Sequence, residues 1–261
     1  MIFSRGFRSV CQRVFYRNPV VRTAANWAFN LVPSRRVGAM HLAVYDQEKS
    51  MGPLQRDEAL LLLAVARTIA PRTVVEFGFF HGHSAFNFMQ ALDDDALLVS
   101  FDVSDVSARH ARRAFGSKPN FRFLHKSQTD FTTADVDDRP VDLVFFDAAH
   151  DLELNQATWR ALLPALTPEA IIAIHDTGLW SREHFLPLHA EFAAQHPDAW
   201  LDEQRFAHQP GERAFVNWVQ SEYPEFAAMH FHTTRRLRHG LTLLQRQQVL
   251  TVSRDEAARA A

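Results

Sequence analysis

Cysteine is nearly absent. Cys11 is the single thiol in 261 residues, which excludes an internal disulfide framework and fits a reducing compartment. Long apolar runs are missing too: none reaches the roughly 18 to 20 residues that a membrane span needs, and Ala59–Ala66 has only the length of a buried helix. Nothing repeats at a fixed period. Acids are missing from one region alone. Met1 to Tyr45 holds Arg5, Arg8, Arg13, Arg17, Arg22, Arg35 and Arg36, with no lysine, aspartate or glutamate. The other 21 bases face 30 acids, so the remainder carries −9 while the whole chain carries −2. An acid-free, aromatic-containing arm fits a peripheral membrane helix, a targeting segment or a substrate lid. It equally fits a solvated helix packed on its own acidic body or on a second subunit, as in a homodimer. Nucleic acid is not expected, because the body is acidic and the arm short. The expected location is the cytoplasm, with membrane contact through residues 1–45 as the alternative.

What is present is alternation. Pro53, Asp57 and Glu58 open a helix that runs to Ile69, with acids near its positive end, and Pro71 stops it. Short apolar runs then alternate with helical patterns: strands at Thr73–Phe77, Leu97–Phe101, Phe121–His125, Val141–Phe146 and Ala170–His175, helices near 83–92, 105–115 and 152–166. Apolar runs of this length between helices indicate a parallel sheet buried on both faces, and right-handed crossovers make it doubly wound. After helical patterns at 182–195 and 212–222, the runs Phe226–His232 and Gly240–Arg246 are separated only by TTRRLRH. Seven residues cannot hold a crossover helix, so these runs pair as an antiparallel hairpin. The expected organisation is a basic helical arm (1–51), one α/β domain (52–247) and a polar tail (248–261).

The turn after the first strand, VVEFGFFHGHSA, places Glu76 before Gly78 and Gly82. It is neither the dinucleotide G-x-G-x-x-G nor a phosphate loop, since no lysine follows Gly82. An acid at this turn would repel a pyrophosphate and suits a cationic ligand. Asp102 ends LLVSFD, where an acid can accept both hydroxyls of a ribose or cap the next helix. In KSQTDF, Ser127 and Gln128 offer a hydroxyl and an amide to an adenine edge, or form a polar turn. Asp147 closes the fourth strand, and His175 with Asp176 the fifth. Acids at four of the five strand ends cost desolvation unless they hold a ligand, a metal or a hydrogen-bond network. His81 and His83 flank Gly82 but lack the thiols or paired spacing of a zinc motif. Phe79, Phe80, Phe86 and Phe88 fit an aromatic wall or the core.

As an ordered set, VVEFGFFHGHSA, LVSFD, DLVFFDAAHD and IIAIHDTGLW resemble the motifs of class I S-adenosylmethionine-dependent methyltransferases. The nearest group is the small-molecule O-methyltransferases similar to catechol and caffeoyl-CoA O-methyltransferases, with relatives bearing a terminal HDT. GPLQRDEALLLLAVARTIAP resembles the helix before their first strand, and the likeness spans about Gly52 to Arg246. The resemblance implies a Rossmann-like, seven-stranded, mostly parallel sheet with an antiparallel C-terminal hairpin. It implies S-adenosylmethionine as cofactor, with Glu76, Gly78, Gly82 and Ser84 at its methionine end, Asp102 at the ribose, Ser127 and Gln128 at the adenine, and Asp147 near the methyl group. Asp147 and Asp176 match two acids that hold Mg²⁺ in relatives. The third ligand, commonly an Asn, is Thr177 here, and His150 stands where those enzymes carry a catalytic lysine. His150 is therefore the expected general base or metal-adjacent ligand, oriented by Asp147 and Asp176. Trp180 and His175 are candidate contacts for a small-molecule acceptor, and Arg235, Arg236 and Arg238 for an anionic one. The expected reaction is methylation of a hydroxyl, with N- or C-methylation and a degenerate, non-catalytic binding module as alternatives.

Overall fold

The computed structural model describes residues 54–233 and 239–247, with Val20, His41 and Leu42. The rest of the basic arm, Arg235, Arg236, Arg238 and the tail beyond Gln247 lie outside the described residues. In chain order the elements are α1 (Arg56–Ile69), β1 (Thr73–Phe77), α2 (His83–Met89), β2 (Leu97–Phe101), α3 (Asp105–Phe115), β3 (Phe121–Leu124), β4 (Val141–Phe146), α4 (Leu152–Leu162), β5 (Leu166–His175), β6 (Leu179–Ser181), α5 (Arg182–Gln195), β7 (Arg205–Ala207), α6 (Pro210–Glu222), β8 (Phe226–Phe231) and β9 (Leu241–Arg246).

Seven strands form one sheet in the order β3-β2-β1-β4-β5-β9-β8. The first five are parallel, and β9 runs antiparallel to both β5 and β8. The hairpin expected from the seven-residue gap is thus present. Every residue of β1 and β2 is buried, as a strand covered by helices on both faces requires. Alternation along β1 sends Val75 and Phe77 to one face, where they meet Phe146, Trp159 and Phe215. Val74 joins Leu62, Phe88 and Phe145 on the other. Strand order reverses between β1 and β4. Their crossovers diverge there and leave a crevice beyond the carboxyl ends.

Three local features differ from the sequence reading. The fifth strand begins at Leu166 rather than Ala170, because pairing to β4 extends through Val141–Leu166 across an irregularity. The helix at 182–195 is broken at His189 (φ −140°, ψ 34°), two residues after Pro187, whose ring and missing N–H interrupt the ladder. A second, two-stranded ribbon pairs β6 with β7, beneath which Trp180, Phe185 and Phe206 form a separate core. Three-residue strands carry too little periodicity to be read from sequence. Among the described residues, no helix is long and apolar enough to cross a membrane.

Candidate active site

A cleft of about 450 Å³ opens beyond β1, β2 and β4. Gly78, Ser84, Asp102, Ser127, Gln128, Asp147 and His150 line it, with Phe80 and Val103 among the apolar residues beside them. Gly78 makes the crevice possible: its φ is +97°, and a Cβ there would stand 1.9 Å from the Asp147 carbonyl oxygen. Gly82 caps α2 from the left-handed region and does not line the cleft. Of the four phenylalanines, Phe79 and Phe88 are core, Phe86 packs at the core's edge, and only Phe80 is exposed.

Asp102 holds the turn as well as facing the cleft. Its Oδ2 accepts from the backbone amides of Phe79 (3.2 Å) and Phe80 (2.8 Å) and from Ser107 Oγ (2.9 Å), while Oδ1 accepts from Ser104 N (2.8 Å). One lone pair on Oδ1 stays open, so the cap and ligand readings of this residue are compatible. Ser127 Oγ receives the Thr129 amide at 3.3 Å. Gln128 is buried; its amide donates to Asn155 Oδ1 at 2.8 Å, and its own carbonyl oxygen lacks a hydrogen-bond partner.

Glu76 corrects an expectation. It is fully buried within β1 and does not line the cleft. Ser100 Oγ donates to Oε2 at 2.5 Å. Burial pushes its carboxyl up to about 7, Asp147 and Asp102 add to the rise, and the hydroxyls of Ser100 and Ser84 oppose it.

Past Asp147 the surroundings change to a network of imidazoles and carboxylates. His175 is buried, with Nδ1 at 3.1 Å from Asp147 and 3.2 Å from Asp176, and Nε2 at 3.0 Å from Glu58. Burial disfavours its charge, but those three acids outweigh it and hold the ring protonated well above the usual range. His150, at φ +48°, sets Nδ1 3.0 Å from Glu212 and Nε2 3.6 Å from Asp176. Here too burial is outweighed, by the Glu212 hydrogen bond and by Asp176 and Asp147, and the imidazole rises to about 9. Glu212 in turn accepts from Asn155 Nδ2 at 2.5 Å. It reaches His150 because its neighbour is Gly211, where a Cβ would meet the His150 carbonyl oxygen at 2.1 Å.

This geometry revises the chemistry expected of the acceptor side. His150 is an imidazolium at neutral pH, not a neutral base. His175, Asp176 and Trp180 do not line the cleft; His175 and Asp176 lie behind its wall, and Trp180 is packed against Phe185 (5.7 Å between rings) and His208 (5.7 Å). Five participants escaped the sequence reading: Glu58, Asn155, His208, Glu212 and His239. Glu58 and Glu212 carried only the mark of acids in a first helical turn, which both are.

The residues expected to hold Mg²⁺ do not suit it. That ion takes about six oxygens, whereas His175 Nδ1, at 3.1 Å from Asp147 and 3.2 Å from Asp176, sets a ring nitrogen between the two carboxylates. Thr177, in place of the third ligand, is buried and receives a hydrogen bond from Thr242 Oγ1 at 2.7 Å.

Residues 75–177 match a family model described as a methyltransferase domain. The uncharacterized protein y4gI of Sinorhizobium fredii is 29% identical over 133 residues, 46% of this chain but only 14% of that protein's length. The fold resembles the O-methyltransferase TomG of Streptomyces achromogenes, solved with S-adenosylmethionine (TM-score 0.53, 20% identity, 82% of this chain and 89% of that one). It also resembles an O-methyltransferase of Bacillus cereus solved with S-adenosylhomocysteine (TM-score 0.56, 13% identity, 91% and 97%). The matched segment contains every strand end that shapes the cleft, and the seven-stranded fold around it is the Rossmann-like fold of these methyltransferase structures.

Proposed function

We propose that the chain transfers the methyl group of S-adenosylmethionine to a hydroxyl of a small molecule. The observation that carries this reading is the division of one cleft wall: nucleoside-sized acceptors (Asp102 Oδ1, Gln128 Oε1) at one end, and Asp147 with His150 at the other. Asp102 would take a ribose hydroxyl on its open lone pair, and Gln128 Oε1 the adenine amino group, beside Ser127. Exposed Phe80 and Val103 offer apolar surface to the base. Gly78 and Ser84 would face the methionine part, above the buried Glu76, whose charge favours a cationic ligand.

Methyl transfer is an in-line displacement. The acceptor oxygen bonds the methyl carbon as the carbon–sulfur bond breaks, the sulfur keeps that electron pair, and the hydroxyl proton passes to solvent water. Most of the catalysis is positioning. His150, oriented by Glu212 and charged, would stabilise the acceptor oxygen as an anion in the manner of an oxyanion-hole donor. No step is assigned to Mg²⁺. Fold similarity to two O-methyltransferases supports oxygen as the target.

Calorimetry with S-adenosylhomocysteine, then labelled S-adenosylmethionine with a metabolite extract, tests this. Binding plus label on an oxygen is the expected result. Failure to bind would leave the non-catalytic module as the reading, and label on nitrogen or carbon would move the assignment to those acceptors.

A further inference from the structure

Behind the acceptor side, three buried ligand-bearing residues converge from distant parts of the chain: Asp176 after β5, His208 between β7 and α6, and His239 before β9. His208 Nε2 lies 3.0 Å from His239 Nδ1, and His239 Nδ1 lies 3.7 Å from Asp176 Oδ1. A zinc-class ion about 2.0–2.1 Å from each ligand atom fits spacings of this size. We propose that Asp176, His208 and His239 bind one divalent transition-metal ion of the zinc class.

Three observations argue for an ion over a plain hydrogen bond between two rings. Asp176 Oδ1 is buried and makes no hydrogen bond: His175 Nδ1 faces it at 3.2 Å but is shared with Asp147 at 3.1 Å, so an N–H···N bond between His208 and His239 leaves this oxygen able to coordinate. The ligand-bearing segments are pinned by one glycine's backbone: Gly178 N–H donates to the His239 carbonyl (2.7 Å), and Gly178 C=O accepts from His208 N–H (3.0 Å). Two imidazoles and one carboxylate are a donor set for zinc-like ions rather than for magnesium. The neighbouring group Asp147, His175 and Asp176 is also close-set, but both His175 nitrogens already face carboxylates, which leaves no lone pair for an ion. Asp176 turns Oδ2 toward His150, so a bound ion lies one residue behind the cleft wall and ties β5, β7 and β9 together there.

The full-length protein, stripped with a chelator and dialysed against micromolar Zn²⁺ or Co²⁺, provides the test. Metal analysis is expected to give one ion per chain, and Co²⁺ the intense visible bands of a low-coordinate site. His208→Gln and His239→Gln, with circular dichroism confirming the fold, are expected to weaken binding about 100-fold or more, while Asp147→Asn retains the ion. A wild-type protein that keeps no ion overturns the proposal, as does loss of the ion in Asp147→Asn with normal binding in both histidine variants. If the histidine variants do not fold, the Co²⁺ spectrum of the wild type decides alone, imidazole-type bands supporting the site and a hexa-aqua-like spectrum overturning it. The measurement needs neither cofactor nor acceptor, so its failure leaves the methyl-transfer reading standing.

Discussion

The two halves of the sheet's carboxyl edge solve the same problem in opposite ways. At β1 and β2, acids meet backbone amides and serines: Asp102 is held by groups within 23 positions of it, and Glu76 has hydroxyls but no cation. At β4 and β5, acids meet histidines brought from far away. Glu58 reaches His175 across 117 positions, and Glu212 reaches His150 across 62. The first half gives Asp102 and Glu76 neutral partners, which under the proposed reading leaves their charge to a cationic cofactor. The second supplies its own cations, and so can orient a neutral or anionic acceptor.

Asp102→Ala should break the first half most severely. Removing a charged acceptor that serves both turn and ligand costs about 3 kcal/mol, or about 100-fold in S-adenosylhomocysteine affinity by calorimetry; unchanged affinity would dismiss the ribose assignment. Glu76 sharpens the contrast through pH. Its folded carboxyl titrates at about 7 against an ordinary 4.5, so it keeps a proton that the unfolded chain has lost between those values. The stability this provides is complete below about pH 4.5 and fades as pH rises through 7, by about 3 kcal/mol. Denaturant titrations from pH 5 to 8 should show that loss in the wild type relative to Glu76→Gln, and a parallel slope in the two would remove Glu76 as its source. A bound sulfonium favours the carboxylate, so cofactor affinity should tighten over the same range.

In the second half, Glu212→Gln keeps the shape and removes the charge that orients His150. We expect kcat to fall about 10- to 100-fold, at most about 2.7 kcal/mol, with S-adenosylhomocysteine affinity little changed; equal losses in both would place Glu212 on the cofactor side. Trp180→Phe is the mildest change. Because Trp180 packs under β6 and β7 outside the cleft, it should cost under about 1.5 kcal/mol of stability and leave the acceptor KM alone, whereas a raised KM would restore Trp180 to the pocket.

The same contrast governs what the sequence discloses. Strand ends announce themselves by a polar residue after an apolar run, so Asp102, Asp147 and Asp176 could be placed from LLVSFD, VDLVFFD and AIIAIHD, as could the closing hairpin. The cleft-lining set was legible because Gly78, Asp102 and Asp147 directly follow strand ends, with Ser127, Gln128 and His150 in the turns after them. Burial depth was not: nothing in VVEF distinguishes a Glu76 that touches a ligand from one covered by its own turn. Nor do local patterns disclose that Glu212 lies against His150, or that His208 and His239 meet across 31 positions. Those pairings are consequences of tertiary closure, set by contacts such as Gly211 against the His150 backbone. His150 lines the cleft, but its protonation state belongs to its neighbours.

The ribbon of β6 and β7 has an evolutionary corollary. Leu179 pairs with Ala207 and Ser181 with Arg205, so the excursion between them leaves and rejoins the domain at adjacent points. Chain inserted between fixed, neighbouring ends adds only a slowly growing closure entropy. Residues 182–204 can accordingly be lengthened, shortened or exchanged with little effect on the sheet, and relatives that methylate different molecules should vary most there.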